Sequence, residues 1–276
     1  MQPYVSANGA RIPALGFGTF RLPGPDTQRM VPAALKLGFR HIDTAQIYGN
    51  EAEVGAGIAA SGVNRADIFL TTKVWVDRFG HDALIASVDE SLKKLRTDYV
   101  DLLLLHWPAG HALPEPVGAL NEVVKAGKVR HIGVSNFNIA QMQEAIGLSA
   151  VPLVTNQVEY HPYLDQGRVI RAARAAGLSV TAYYAMADGK VFGDPVLKQV
   201  AAAKGRSVAQ VVLRWVLQQD GLVALSKTAS ETRAAENFAV FDFELTAEEM
   251  AAIHALAKPD GRLVSPPALA PVWDAA

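Results

Sequence analysis

Short apolar segments alternate with amphipathic segments along almost the whole chain, and this alternation limits the possible folds more than any other feature. Eight apolar segments recur at intervals of about 30 residues, a spacing typical of strand–helix units. They cover residues 14–18, 39–42, 68–74, 100–106, 129–134, 152–157, 178–183 and 222–225. Segments that are apolar on both faces and separated by helices are typical of a parallel sheet covered by helices. The alternation therefore predicts an α/β protein.

Eight such units fit a closed (β/α)8 TIM barrel better than an open sheet. An open doubly wound sheet usually has a glycine-rich phosphate-binding turn after its first strand. The corresponding segment Gly16-Phe17-Gly18-Thr19-Phe20-Arg21 lacks the third glycine of that motif. The length of 276 residues matches one barrel of this class, so a single domain over residues 1–276 is expected.

Four further features lie outside the repeating units. Asn8-Gly9 between two short extended runs predicts an N-terminal β-hairpin, because both turn residues must adopt positive φ. Residues 194–204 and 246–257 predict two extra helices, and the Pro-rich chain after Pro259 predicts an irregular C-terminal tail.

Within the first repeating unit, Pro32 suggests that the first helix begins near Met30, since proline is tolerated in a first turn.

The composition excludes several classes of protein. The chain has 26 Lys and Arg against 27 Asp and Glu, so it lacks the broad basic field of a nucleic-acid-binding protein. The absence of cysteine excludes a thiol nucleophile and thiolate metal sites. The N-terminus has no signal-peptide pattern, and no apolar stretch approaches the ~20 residues of a membrane span. We expect a cytoplasmic monomer with neither nucleic-acid nor membrane partners.

Polar side chains follow three neighbouring strands of the predicted barrel. Asp43 and Tyr48 follow the second strand, Lys73 ends the third and His106 ends the fourth. Each residue alone could have a purely structural role. Because catalytic groups of such barrels lie at the C-terminal strand ends, the four side chains should meet at one pocket. Buried charges are costly unless they are paired, which argues against simple packing.

The four side chains suggest proton transfer to a carbonyl oxygen. Lys73 should lower the pKa of Tyr48 from its ordinary value near 10, and Asp43 should keep Lys73 charged. A neutral His106 could hydrogen-bond the substrate oxygen. No metal is needed, and the spacing of His106 and His111 is not that of a zinc-protease helix. A Schiff-base aldolase that uses Lys73 is the alternative enzyme, although Asp43 argues against a neutral lysine.

Four motifs resemble the signatures of the aldo-keto reductase family, in the same order along the chain. They are Gly38-Phe39-Arg40-His41-Ile42-Asp43-Thr44-Ala45-Gln46-Ile47-Tyr48-Gly49-Asn50-Glu51, Leu105-His106-Trp107-Pro108, Gly133-Val134-Ser135-Asn136-Phe137 and Asn156-Gln157-Val158-Glu159-Tyr160-His161-Pro162. The resemblance extends over almost the whole chain. The loop Gly189-Lys190-Val191 resembles the loop found in the bacterial branch of this family that includes 2,5-diketo-D-gluconate reductases and methylglyoxal reductases.

The resemblance implies reduction of an aldehyde or ketone by NADPH, with Tyr48 as general acid and Asp43, Lys73 and His106 completing a catalytic tetrad. It also implies which residues bind NADPH or NADP+. These are Gly18, Thr19, Asp43, Ser135, Asn136, Gln157, Tyr183, Lys227, Thr228, Arg233 and Asn237. In this group, Ser135, Asn136 and Gln157 would hold the nicotinamide carboxamide, while Tyr183 would stack on the ring.

The remaining expectations concern the adenosine phosphate and the substrate. Lys227 and Arg233 lie at the start of the last barrel helix, where free N–H groups and the helix dipole favour an anion. Phe20, Trp75 and Trp107 are the expected walls of a pocket for small aldehydes, α-keto aldehydes or keto sugars. A non-catalytic NADP-binding regulatory subunit is the rival from another class, and the complete tetrad argues against it.

Overall fold

The computed structural model describes residues 2–275, in which eight parallel strands close into a barrel in the order β10-β3-β4-β5-β6-β7-β8-β9. The barrel strands are β3 (Leu15–Gly18), β4 (His41–Asp43), β5 (Phe69–Val74), β6 (Val100–Leu105), β7 (Val129–Ser135), β8 (Leu153–Glu159), β9 (Ser179–Tyr183) and β10 (Leu222–Ser226). Each strand lies within about two residues of its predicted segment. The (β/α)8 fold is therefore confirmed.

Helices surround the barrel and connect its strands. They are α1 (Gly24–Leu37), α2 (Glu51–Ser61), α3 (His81–Leu95), α4 (Pro114–Lys125), α5 (Ile139–Leu148), α6 (Gly167–Ala175), α7 (Pro195–Lys204), α8 (Val208–Leu217), α9 (Glu231–Phe238) and α10 (Ala247–His254). Helices α7 and α10 are the two predicted extra helices. Capping boxes begin α5, α8 and α10, so each of these three helix starts is fixed by local sequence.

The N-terminal hairpin closes the bottom of the barrel. Strands β1 (Tyr4–Ala7) and β2 (Ala10–Pro13) pair in antiparallel register around Asn8 and Gly9, as predicted. Ile12 is fully buried against the barrel interior, where it shares an apolar cluster with Phe69 and Leu102. Because the hairpin covers the N-terminal strand ends, only the C-terminal ends remain open for chemistry.

The predicted start of the first helix is wrong. Helix α1 begins at Gly24, and Pro32 lies in its interior. Pro25 occupies the first turn, where the missing N–H costs no hydrogen bond, and it provides the earlier start. Apolar residues on the buried face of α1, including Val31 and Leu35, hold the helix through Pro32.

The chain after α10 has no regular secondary structure up to residue 275, as predicted for the tail. It returns to the barrel and packs near the C-terminal ends of β6, β7 and β8. Among residues 2–275, no helix combines the length and the apolar character that crossing a bilayer requires.

Candidate active site

The lysine at the end of β5 is the centre of a buried polar cluster. Lys73 Nζ donates to Asp43 Oδ1 at 2.6 Å and to the hydroxyl of Tyr48 at 3.2 Å. A third bond, of 2.8 Å, goes to the backbone oxygen of Thr44. These three acceptors use all three hydrogens of an ammonium group. The structure therefore brings together three of the four side chains predicted from the strand ends.

The contact partners of Lys73 determine its charge. Burial alone would lower the pKa of this fully buried amine, but Asp43 and Tyr48 outweigh burial and raise the pKa. Lys73 is therefore an ammonium at neutral pH. A charged lysine is a poor Schiff-base nucleophile, so this arrangement disfavours the aldolase alternative.

Tyr48 behaves differently from the expectation. Burial raises the pKa of its hydroxyl, and the opposing influence of Lys73 is too weak to reverse that effect. The predicted net lowering is therefore wrong for the protein alone, because loss of hydration outweighs the nearby positive charge. Tyr48 consequently keeps its proton at neutral pH, and Lys73 is placed to stabilise the phenolate once the proton has left.

His106 completes the cluster as a neutral imidazole. Its pKa is well below the ordinary value, because the ring is buried and lies near the Lys73 charge. The imidazole contacts the rings of Tyr48 and Trp75 edge-on, with centroids 5.7 and 5.2 Å away. Asn136 Nδ2 donates to its backbone oxygen at 3.0 Å. All four predicted side chains thus meet at one edge of the barrel.

The residues expected to hold a nicotinamide lie beside this cluster and are bonded to it. Gln157 Nε2 donates to the second oxygen of Asp43 at 2.8 Å. Ser135 Oγ donates to the backbone oxygen of Gln157 at 2.9 Å. The hydroxyl of Tyr183 donates to Asn136 Oδ1 at 2.6 Å. Asn136 has φ of +63°, a conformation that asparagine tolerates better than most residues.

A second group of predicted cofactor residues lies where β10 meets α9. Thr228 and Asn237 are largely buried, whereas Lys227 and Arg233 are exposed. Within residues 2–275, neither of these two cations forms an ion pair with a carboxylate. Ser230 caps α9 through the backbone N–H of Arg233. Two unpaired cations at a helix start suit a phosphate group.

The predicted aromatic residues surround the cluster on its outer side. Phe20 lies 5.0 Å from the Tyr48 ring and remains 45% exposed. Trp75 contacts His106, as described above. Trp107 is buried, and its ring lies 6.3 Å from that of Trp273 in the tail. An apolar rim of this kind can hold the carbon skeleton of a substrate.

Sequence reasoning missed two residues that hold the site together. Asn50 is buried and accepts from Thr44 Oγ1 at 2.9 Å while donating to the Thr19 backbone oxygen at 3.0 Å. Gln46 Oε1 accepts a hydrogen bond from the backbone N–H of Trp75 at 2.9 Å. Both residues lie inside a motif quoted above, and that position was the one available signal. Gly18 ends β3 and Thr19 follows it, so the bond from Asn50 to Thr19 joins this strand end to the Tyr48 loop.

Comparisons with known proteins agree with this geometry. The sequence model of the aldo/keto reductase family matches residues 14–258. The methylglyoxal reductase DkgB of Salmonella typhimurium is 47% identical over 267 residues, which cover 95% of this chain and 99% of that protein.

Solved structures give the same result. A protein with the provisional name 2,5-diketo-D-gluconic acid reductase B superposes with a TM-score of 0.98 at 64% identity, covering 100% of this chain and 98% of its own. A variant of Gox0644 in complex with NADPH superposes with a TM-score of 0.91 at 35% identity, covering 96% and 97%. The chain therefore belongs to the aldo/keto reductase family of oxidoreductases.

Proposed function

We propose that this protein reduces small aldehydes and ketones with NADPH, with α-keto aldehydes as the preferred class and keto sugars as further candidates. The observation that carries the proposal is the buried Lys73 ammonium, which donates hydrogen bonds to both the Asp43 carboxylate and the Tyr48 hydroxyl. The name of the methylglyoxal reductase relative and the NADPH-bound structural neighbour support the same reading.

Tyr48 is the proposed acid. Bound NADPH would supply a hydride to the carbonyl carbon, and the Tyr48 hydroxyl would give its proton to the carbonyl oxygen. The resulting phenolate lies 3.2 Å from Lys73 Nζ, whose charge stabilises it. Asp43 keeps Lys73 charged and fixes its position. His106 is neutral, so it can donate one hydrogen bond to the carbonyl oxygen and orient it.

The residues present suit NADPH at both ends of the molecule. Ser135, Asn136 and Gln157 offer amide and hydroxyl groups for the carboxamide, and Tyr183 offers a ring face. At the other end, the cations Lys227 and Arg233 have no carboxylate partner among residues 2–275 and would bind the 2′-phosphate. The further proposed cofactor residues are Gly18, Thr19, Asp43, Thr228 and Asn237.

Phe20, Trp75 and Trp107 are the proposed substrate-binding residues. Phe20 contacts the ring of Tyr48 and Trp75 contacts the ring of His106, so both would border a small carbonyl compound bound next to these two residues. A single-domain organisation, a monomeric state and a cytoplasmic location remain predictions of the sequence.

Oxidation of NADPH, followed by absorbance with a panel of small aldehydes, α-keto aldehydes and keto sugars, tests the proposal. We expect turnover to be fastest with the α-keto aldehydes. Borohydride added with substrate should leave no adduct on Lys73 by mass spectrometry. Tight NADPH binding without turnover on any compound would instead favour the non-catalytic regulatory subunit, and an adduct on Lys73 would favour the aldolase.

A further inference from the structure

A second buried carboxylate lies at the end of β8, outside the proposed chemistry. Glu159 is fully buried, and its Oε1 accepts from the backbone N–H of Leu263 at 2.7 Å. Its Oε2 accepts from the backbone N–H of Val264 at 3.0 Å. One barrel side chain thus holds two consecutive amides of the irregular tail.

Two charged or polar side chains complete this anchor. His161 Nδ1 accepts from the backbone N–H of Tyr163, so Nε2 carries the ring hydrogen and donates to Glu159 Oε1 at 2.9 Å. Arg262 Nη1 lies 3.7 Å from Glu159 Oε2. Both carboxylate oxygens therefore accept from protein donors, which stabilises the buried carboxylate.

The anchor is connected to the substrate side of the barrel through one aromatic residue. The Arg262 guanidinium lies 3.6 Å from the centroid of the Trp273 ring. Trp273 Nε1 donates to Ser265 Oγ at 2.9 Å, and its ring faces Trp107. Because Trp107 directly follows His106, Trp273 lies near the proposed site. Arg262 contacts both Glu159 and the Trp273 ring, so the position of Trp273 is connected to the Glu159 anchor.

The other tail contacts are less buried than those of Glu159. Asp274 Oδ2 accepts from the Ile139 backbone N–H at 2.9 Å, and Leu269 accepts from Ala109 at 3.2 Å. Val272, next to Trp273, is 90% exposed. Solvent-exposed polar contacts contribute little, whereas buried bonds to a carboxylate are stronger. Glu159 is thus the strongest candidate for the group that fixes the tail.

We propose that Glu159 is a positioning residue that holds Trp273 as the outer wall of the substrate site, and that it thereby favours carbonyl compounds bearing a planar group beside the reacting carbon. This inference rests on the proposed function, because it assigns a preference to the same site. The tail placement itself can be tested without substrate.

The first test is limited trypsin digestion of the protein without ligands. Arg262 is the tail position at which trypsin can cut, because Pro259 directly follows Lys258 and blocks cleavage there. The chain before Arg262 is held by Tyr163, and the chain after it is held by Glu159. In Glu159→Gln, the side-chain amide nitrogen replaces one carboxylate oxygen and would face one of the two tail N–H groups. Because a nitrogen of this kind only donates, that hydrogen bond to the tail would be lost. We expect cleavage there to be at least roughly fivefold faster, as for one lost bond to a charged group.

Asp101→Asn is the matched control for the digestion. It removes a buried carboxylate at the opposite end of the barrel and should leave the rate of tail cleavage unchanged. Mass spectrometry of the fragments identifies the cut sites. Equal cleavage rates in Glu159→Gln and the wild type would overturn the anchor, whether or not the protein reduces any carbonyl.

The second test compares methylglyoxal with phenylglyoxal, which differ only in the group beside the dicarbonyl. In Glu159→Gln and in Trp273→Ala, kcat/KM for phenylglyoxal should fall about threefold to tenfold through KM, as for one lost aromatic contact. The value for methylglyoxal should change less than about twofold. The double variant should be no worse than Trp273→Ala, because Glu159 acts through that residue.

If Glu159→Gln fails to fold, Arg262→Gln replaces it in this comparison. That variant removes the contact between Arg262 and Trp273 but leaves the buried Glu159 carboxylate in place. It should reproduce the selective loss for phenylglyoxal. The proposal would be overturned if the losses of kcat/KM for phenylglyoxal in the two single variants multiplied in the double variant, or if both compounds lost equally. A wild type that reduces neither compound would instead refute the proposed preference for α-keto aldehydes, and the digestion would still decide the anchor.

Discussion

Two buried carboxylates at opposite ends of the barrel are paired with cations in different ways. At the N-terminal end, Asp101 bonds Arg65 at 2.8 Å and Arg130 at 3.0 Å, and both guanidinium groups stack on Tyr99. At the C-terminal end, Asp43 bonds a fully buried lysine.

The partners explain why only one end can perform chemistry. Arginine keeps its proton at any physiological pH, so the Asp101 cluster has nothing to donate. Lys73 shares its ammonium with the Tyr48 hydroxyl, a group that can lose a proton and be stabilised afterwards. The same pairing of charges therefore serves stability at one end and proton transfer at the other.

Lys73→Met should have the largest effect on stability. It leaves the Asp43 carboxylate buried without its cation, a change that costs about 3–5 kcal/mol. Chemical denaturation measures the loss. The double variant Lys73→Met with Asp43→Asn should recover much of the stability but no activity. Recovery of activity in that variant would show that the charged pair has no catalytic role.

Asp101→Asn should cost less, about 1–2 kcal/mol, because both arginines are partly exposed and solvent screens them. The midpoint of thermal unfolding should fall, while kcat and KM of the folded protein stay as in the wild type. A clear loss of kcat at a temperature where the variant is folded would contradict the separation between the two ends.

Arg233→Ala should weaken NADPH binding by at least several-fold, the lower range for a partly hydrated bond to a charged group. NADH lacks the 2′-phosphate, so its affinity should be nearly unchanged. The difference should shrink as salt rises. Quenching of tryptophan fluorescence during titration measures both cofactors. Equal losses for NADPH and NADH would remove Arg233 from the phosphate site.

The smallest expected effect is the pH dependence of reduction. The pKa of His106 is well below 6.5 and that of Tyr48 is above 10.0, so both groups keep their working protonation state between these values. A profile of kcat/KM against pH should therefore be nearly flat in that interval. A midpoint near neutrality that disappears in a His106 variant would contradict the neutral imidazole.

The sequence predicts the barrel and the tetrad because both depend on local patterns. Apolar runs mark each strand, and the polar residue after each run marks its C-terminal end. The predicted start of α1 is wrong because it rested on Pro32 alone, whereas Pro25 lies in the first turn and the buried face of the helix holds it through Pro32.

Other features depend on contacts that no local pattern contains. Glu159 meets Leu263 and Val264 about a hundred residues away, in a segment without periodicity. The raised pKa of Tyr48 depends on how deeply its loop packs against the barrel. The sequence could identify the residue types in both cases, but only their packing shows which effect prevails.

The rate of hydride transfer in Tyr48→Phe tests the central claim most directly. The substitution keeps the ring and removes the only proton that Lys73 is placed to help release. With NADPH bound in advance, a single-turnover measurement should show a loss of about 10²–10⁴, the usual contribution of a general acid, while the affinity for NADPH stays within about twofold because the ring and its packing remain. A variant that keeps more than about a tenth of the wild-type rate would show that another group supplies the proton.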